Sequence, residues 1–196
     1  MRFYQEITLL PLPSEGVTEL AIWEKLYKQI HFILVTQMHN TGNDFSKIGV
    51  SFPGYSADGD NLQLGNKLRL FAETEQELLD IDLSSKLRFL SDYIHIRKIN
   101  SVPPTDMFSI YKRFHTENNI HNKAKRYAKR HNISYDEAVK LFPISEPGKM
   151  YPYVMMDSET NKNCYPLAIK RESCDSLVNK GFSSYGLSSE SSVPEF

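Results

Sequence analysis

Long apolar runs are missing from this sequence. No stretch approaches the roughly 20 consecutive apolar residues that a membrane-spanning helix requires, and the opening MRFYQEITLL has none of the basic-then-apolar-then-small layout of a secretion signal. A cytoplasmic protein is the expectation. Cysteine is scarce: Cys164 and Cys174 are the only two, too few for a disulfide framework and without a C-x-x-C or histidine partner at zinc spacing. They read as reduced thiols in strands or loops. Net charge is lacking too, with 23 Lys and Arg against 24 Asp and Glu for a formal −1, which excludes a generally cationic coat for nucleic acid. Any electrostatic attraction must come from a local patch. There is no Gly-rich loop ending in Lys-Ser/Thr for nucleotide phosphates and no G-x-S-x-G elbow. The acids are scattered, and His115 and His121 lie six apart, outside the usual spacing of a local metal-ligand pair. Neither a metal nor any other cofactor is expected.

What the chain does have is a concentrated cationic segment. Residues 122–131, NKAKRYAKRH, hold Lys123, Lys125, Arg126, Lys129 and Arg130, and no acid occurs between Asn118 and Tyr135. At about 100° per residue the cations fall on one broad arc of a helix, and Ile120, Ala124, Tyr127 and Ala128 on the opposite arc. A merely solvated face normally interleaves acids at i,i+4 to relieve repulsion. Their absence favours a polyphosphate partner over the alternative, an exposed basic helix without one.

The 196 residues, 40% hydrophobic and 12% aromatic, suffice for real cores. Residues 3–10 read as a strand, and 17–35 as a helix with the apolar stripe Leu20, Trp23, Tyr27, Ile30 and Leu34. A polar loop over 37–46 follows, then short strands over 48–52 and 67–72, separated by the turn-rich GYSADGDN. Residues 74–90 are helical with a break near Asp82, and 93–99 form a strand. The order β-α-β-β-α-β in about a hundred residues predicts an α+β chain that opens with a ferredoxin-like domain. Residues 100–104, NSVPP, read as a linker, dividing a domain over 1–100 from a smaller α/β domain over 101–196. In the second, 107–115 is extended and the basic helix follows. Ser134 and Glu137 form a capping box that starts a short helix ending before Pro143. Strands are expected over 153–156 and 167–170, and the Gly- and Ser-rich tail carries isolated apolar residues.

Metal-free acid/base chemistry suits RNA, because the substrate brings its own nucleophile in the 2′-hydroxyl and the protein need only align it, take its proton and stabilise charge at phosphorus. Histidine is the natural base. His31 lies one turn after Tyr27 at the edge of the apolar stripe, where a side chain reaches the surface; alone, it is more often a packing residue. His131 ends the basic helix, where the helix dipole favours a cation. Ser158 follows YPYVMMD and Tyr185 sits in SSYGLS. Neither signals a role by itself.

Four segments acquire meaning together: IGVSFP over 48–53, KAKRYAKRH, YPYVMMDS ending at Ser158, and SYGLS followed by VP and Phe196. In these, and over nearly its whole length, the chain resembles the CRISPR-associated repeat-processing endoribonucleases of the Csy type, subtype I-F. The resemblance implies a ferredoxin-like domain joined to a smaller domain that grips RNA. It also implies metal-free cleavage of the precursor transcript at the base of each repeat hairpin, and a product retained in a surveillance complex with other subunits. It aligns His31 with the catalytic histidine, Ser158 with a serine that fixes the ribose at the cut, and Tyr185 with a tyrosine that orients the histidine. A rival register puts Tyr27 at the catalytic position. Lys125, Arg126, Lys129, Arg130 and His131 fall along a helix that enters the hairpin's major groove, with Lys123 on the same cationic arc. Arg113 aligns with an arginine that reads a guanine, and Tyr165 with an aromatic that stacks beneath the last base pair. The chain departs from the family in having Lys125 and Lys129 for two arginines and His115 for a glutamine that partners the guanine-reading arginine. Lysine keeps the charge but loses bidentate phosphate geometry. The alternative function is a subunit that holds the crRNA hairpin without cutting it.

Overall fold

A computed structural model of the chain describes residues 1–11, 16–59, 61–115, 117–142, 148–157 and 163–196. The elements run β1 (Phe3–Leu9), α1 (Glu19–Thr41), β2 (Gly49–Ser51), β3 (Ser56–Asp58), β4 (Asn61–Gln63), β5 (Lys67–Ala72), α2 (Glu75–Ile81), α3 (Leu83–Lys86), a 3-10 turn over Arg88–Leu90, β6 (Ile94–Ile96) and β7 (Asn100–Ser101). They continue with β8 (Phe108–Phe114), α4 (Glu117–His131), α5 (Tyr135–Lys140), β9 (Tyr153–Asp157), β10 (Cys164–Cys174) and β11 (Val193–Pro194). Among the described residues this is a mixed α/β architecture with three sheets. No described helix is long and apolar enough to cross a membrane.

Helix α1 begins where the Thr18 hydroxyl accepts from the Ala21 amide and ends at Gly42, whose φ of 64° lets its amide reach back to the Met38 and His39 carbonyls. It therefore runs well past the expected end at 35. The polar residues of 36–41 lower helix propensity, but none breaks the ladder, and Gly42 is the first to take the left-handed cap without strain. Its buried stripe contains Trp23, Tyr27, Ile30 and Leu34 as expected, joined by Ile22, Leu26 and Ile33, whereas Leu20 is exposed. The helical stretch after 74 carries a capping box between Thr74 and Glu77 and breaks at Asp82, which stands at φ 41° as the C-cap of α2 and offers its carboxylate to the Ser85 amide as the N-cap of α3.

The first sheet is antiparallel with order β2-β5-β1-β6, and β7 also pairs with β1. Residues 100 and 101, expected in a linker, are thus strand. Their amide and carbonyl groups pair with Phe3 and Tyr4 before Pro103 and Pro104 remove the donors that would extend the ladder. In β1, Glu6 faces Arg69 across the sheet. Its side chain is 1% exposed and bonded by Arg69 Nε at 2.8 Å and Lys67 Nζ at 3.2 Å, with Arg97 Nη1 at 3.6 Å. Burial pushes this carboxyl up, but the hydrogen bonds and charges of Arg69 and Lys67 outweigh it and hold it below the usual glutamate value. The stability it contributes is therefore present at neutral pH and lost as pH falls through that depressed value.

The second sheet has order β11-β8-β10-β9, with β8 and β10 paired from Phe108↔Cys174 to Phe114↔Ala168. The GYSADGDN segment, read as a loop, contains most of the β3–β4 hairpin. One buried cluster joins Ile7, Leu26, Tyr27, Val50 and Phe52 to Tyr111, Val154, Ile169, Phe182, Leu187 and Val193, so the core is continuous across position 101. The tail is anchored rather than loose. Phe182 forms a bridge with Ser46, Val193 is buried beside Gly49, and the Phe196 ring meets Tyr4 and Phe71 edge-on. Helices α4 and α5 form a separate small core of Ala124, Ala128 and Ala138, flanked by Tyr127, Ile133, Val139 and Phe142. The expected capping box of Ser134 and Glu137 starts α5, and His121 Nδ1 lies 2.7 Å from the Tyr135 hydroxyl, linking the pair. Ala124, Tyr127 and Ala128 of the apolar arc expected on α4 are thus turned to the small core shared with α5, and the cationic arc to solvent.

Candidate active site

His31 projects from α1 at half burial toward the turn that carries Ser184 and Tyr185. Its Nδ1 is 2.9 Å from the Ser184 carbonyl oxygen. A carbonyl only accepts, so Nδ1 must carry the hydrogen, which leaves Nε2 of the neutral ring with its lone pair free. Among the described residues nothing engages Nε2. The imidazole lies flat on the Tyr185 ring, centroids 4.1 Å apart and planes 9° from parallel.

Tyr185 is tethered at both ends. Its carbonyl accepts from the Tyr27 hydroxyl at 2.9 Å, and its own hydroxyl is 2.8 Å from that of Tyr165 on β10. Burial, reinforced by the Tyr165 hydroxyl, pushes the Tyr185 phenol up to about 12, so it stays protonated at neutral pH with its ring face against the imidazole. The next residue is Gly186 at φ 69°, where a Cβ would stand 2.5 Å from Val50 Cγ1. Only glycine lets this turn seat against β2, and the turn in turn presents Ser184 and Tyr185 to α1. Tyr27 is fully buried with its hydroxyl committed inward; one turn on, His31 reaches the surface.

Of the expected site residues, the structure gathers His31, Tyr185, Tyr165 and Arg113. Arg113 is exposed on β8, its guanidinium carbon 5.4 Å from the Tyr165 ring centre. Ser158 lies outside the described residues. His115 follows β8; crowding by surrounding atoms, then the charges of Arg113 and Lys123, hold it below the usual histidine value. On α4, Lys123, Lys125, Arg126, Lys129 and Arg130 are all exposed, and among the described residues none has a carboxylate partner. Lys123 Nζ sits 4.8 Å over the Phe142 ring, Arg126 Nε donates to the Asn122 carbonyl, and His131 stacks on Tyr127 at 4.1 Å. The basic arc is a second location, carried by the α4–α5 pair. No group of three His, Cys, Asp or Glu among the described residues converges as a metal ion would need.

Beside His31 is a cluster that sequence reading missed. Lys28, on the preceding turn of α1, bonds Glu24 at 2.7 Å and Asp157 at 2.5 Å, and Asp157 also accepts from the Cys164 thiol at 3.0 Å. The thiol and Lys28 hold the Asp157 carboxyl low, and Asp157 holds the Cys164 thiol high, so Cys164 is a poor nucleophile. This cluster ties the end of β9, immediately before Ser158, to the helix that carries His31. The i,i+4 pairing of Glu24 and Lys28 was visible in the sequence, whereas Asp157 is linked to them only through the fold.

A protein described as CRISPR-associated endonuclease Cas6/Csy4 from Pseudomonas aeruginosa (strain UCBPP-PA14) is 28% identical over 198 residues, covering 100% of both chains. The protein of the same description from Escherichia coli (strain UTI89 / UPEC) is 27% identical over 198 residues, again covering 100% of both. A solved structure described as CRISPR associated protein Cas6 is 13% identical, with 98% of each chain covered and a TM-score of 0.36. The family model described as CRISPR-associated protein (Cas_Csy4) matches residues 4–196, and the chain belongs to that family.

Proposed function

We propose that the protein is a metal-independent endoribonuclease that binds the stem-loop of a CRISPR repeat and cuts the precursor crRNA at the base of the hairpin. It then stays on the mature crRNA within a type I-F surveillance complex. The observation that carries this reading is the fixed His31 ring, its Nδ1 hydrogen committed to Ser184 and its Nε2 open. In the reaction, Nε2 takes the proton of the ribose 2′-hydroxyl as O2′ bonds to phosphorus. The bond from phosphorus to O5′ then breaks, leaving a 2′,3′-cyclic phosphate, and the departing oxygen takes up a proton to become a 5′-hydroxyl. Ser158 fixes the ribose, and Tyr185 keeps the imidazole in plane.

Residues 1–100 act as a ferredoxin-like unit, a reading supported by the strand order β2-β5-β1-β6 with α2 packed on β1 and β5. Residues 101–196 hold the hairpin. Arg113 and a neutral His115 meet base edges at the stem foot, where Arg's fork matches guanine, and Tyr165 stacks under the last pair. The cationic arc of α4 and His131 enters the major groove, which in a short stem opens toward the loop.

Incubating the purified protein with a labelled host repeat in chelator tests this function. One cut at the hairpin base with a cyclic phosphate end is the expected product. A strict need for added magnesium would overturn the mechanism, and tight binding with no cut would leave a hairpin-holding subunit. The cationic arc yields a separate expectation. Neutralising Lys125, Arg126, Lys129 or Arg130 should weaken all hairpins alike, each lost phosphate contact flattening the slope of log affinity against log salt by roughly 0.7 to 0.9. Loss confined to one stem sequence at unchanged slope would mean base readout instead.

A further inference from the structure

We infer that the Tyr165 hydroxyl is a positioning group for His31, acting through Tyr185. This deepens the proposed reaction and rests on His31 being its base. A tyrosine ring swings about its Cα–Cβ bond as a lever whose hydroxyl end moves farthest, so stacking alone leaves the Tyr185 ring, and the imidazole lying on it, free to shift within its rotamer well. The Tyr27 hydroxyl fixes the Tyr185 main chain, and the Tyr165 hydroxyl, 2.8 Å from that of Tyr185, fixes the far end of the ring. Tyr165 is itself held. It pairs with Met156 across β9 and β10 and lies under the Arg113 guanidinium. A phenylalanine at 165 would fill the same space and stack on an RNA base equally well. It would lack only the bond to Tyr185, so the hydroxyl is the part of this side chain that stacking does not require.

The experiment compares wild type with Tyr165→Phe, Tyr185→Phe and the double variant. It reads the single-turnover rate on a labelled repeat hairpin, the hairpin Kd, and the imidazole ¹⁵N resonances of His31 in the RNA-free protein. Tyr165→Phe is expected to slow cleavage about three- to tenfold, the size of one net hydrogen bond, with Kd unchanged and the His31 resonances shifted toward exchange between tautomers. Because both single variants remove the same bond, the double variant should be no slower than the slower single one. A Tyr165→Phe protein with wild-type rate and wild-type His31 resonances would overturn the inference. So would a rate loss matched by an equal loss of affinity with unchanged resonances, since the hydroxyl would then be serving the RNA directly. If wild type fails to cut any repeat hairpin, the proposed function fails, while the His31 resonances of RNA-free Tyr165→Phe still decide the positioning role.

Discussion

His31→Ala should lower single-turnover cleavage by about 10²- to 10⁴-fold, the usual contribution of a general base, while leaving hairpin affinity close to wild type. The separation follows from where the groups sit. His31 is on α1, packed against the 184–185 turn, whereas the exposed cationic arc is on α4, in a helix pair with a core of its own. Removing the imidazole takes away Nε2 without touching a cation. The buried environment should tolerate the change, because His31 is only half buried and its one polar partner is a main-chain oxygen that water can reach. Tyr27→Phe is the matched control. It removes the hydroxyl that holds the Tyr185 carbonyl, so it should lower stability by about 1 kcal/mol and cleavage far less than His31→Ala. An alanine variant that cut at the wild-type rate while Tyr27→Phe did not would show that the register placing His31 at the catalytic position is wrong.

The largest effect is expected from a change in the substrate. A repeat hairpin with a single 2′-deoxy sugar immediately upstream of the cut should bind and stay whole, with no cleavage above background. The ribose oxygen is the only nucleophile in the proposed reaction, and without it the geometry around His31 has nothing to activate. Ser158 would lose its ligand at a cost of about 1 kcal/mol of net hydrogen bonding, a several-fold weakening at most, while the stem contacts survive. Gel-resolved cleavage and filter binding on the same oligonucleotide separate the two quantities. Cleavage of the deoxy hairpin, above all if it depended on magnesium, would defeat the mechanism and point to a water-attacking, metal-assisted nuclease.

Local chemistry was legible in the sequence wherever a single residue decides the backbone. The break at Asp82, the capping box of Ser134 and Glu137, and the strand Lys67–Ala72 all stand where their residues place them. So does the apolar arc of α4, because Ala124 and Ala128 recur at helical spacing. The end of α1 was misplaced because polar residues lower helix propensity only slightly, and a long helix tolerates several before a true stop such as Gly42. The 181–196 segment was harder still. Phe182, Leu187, Val193 and Phe196 follow neither helical nor strand spacing, because they pack into a core shared with the other half of the chain, Phe182 and Val193 against Gly49 and Phe196 against Phe71. For the candidate site, residue types could be named from the sequence, but not the contacts between them. Nothing near position 165 signals a bond to 185, and Asp157 shows no sign of meeting Lys28 until the fold joins them.

The hydrogen bond between His31 and the Ser184 carbonyl spans 153 positions of sequence, and that separation bears on the birth of the protein. A chain emerging from the ribosome exposes α1 long before the 184–185 turn exists, and contacts of such range close late in folding. Until then the histidine has neither the carbonyl that assigns its proton nor the aromatic plane that holds it. A partly synthesised molecule can thus present an imidazole without being a nuclease. If His31 is the base, as proposed, competence waits for the docking of the late segment, and a truncated translation product would be silent toward cellular transcripts without any inhibitor.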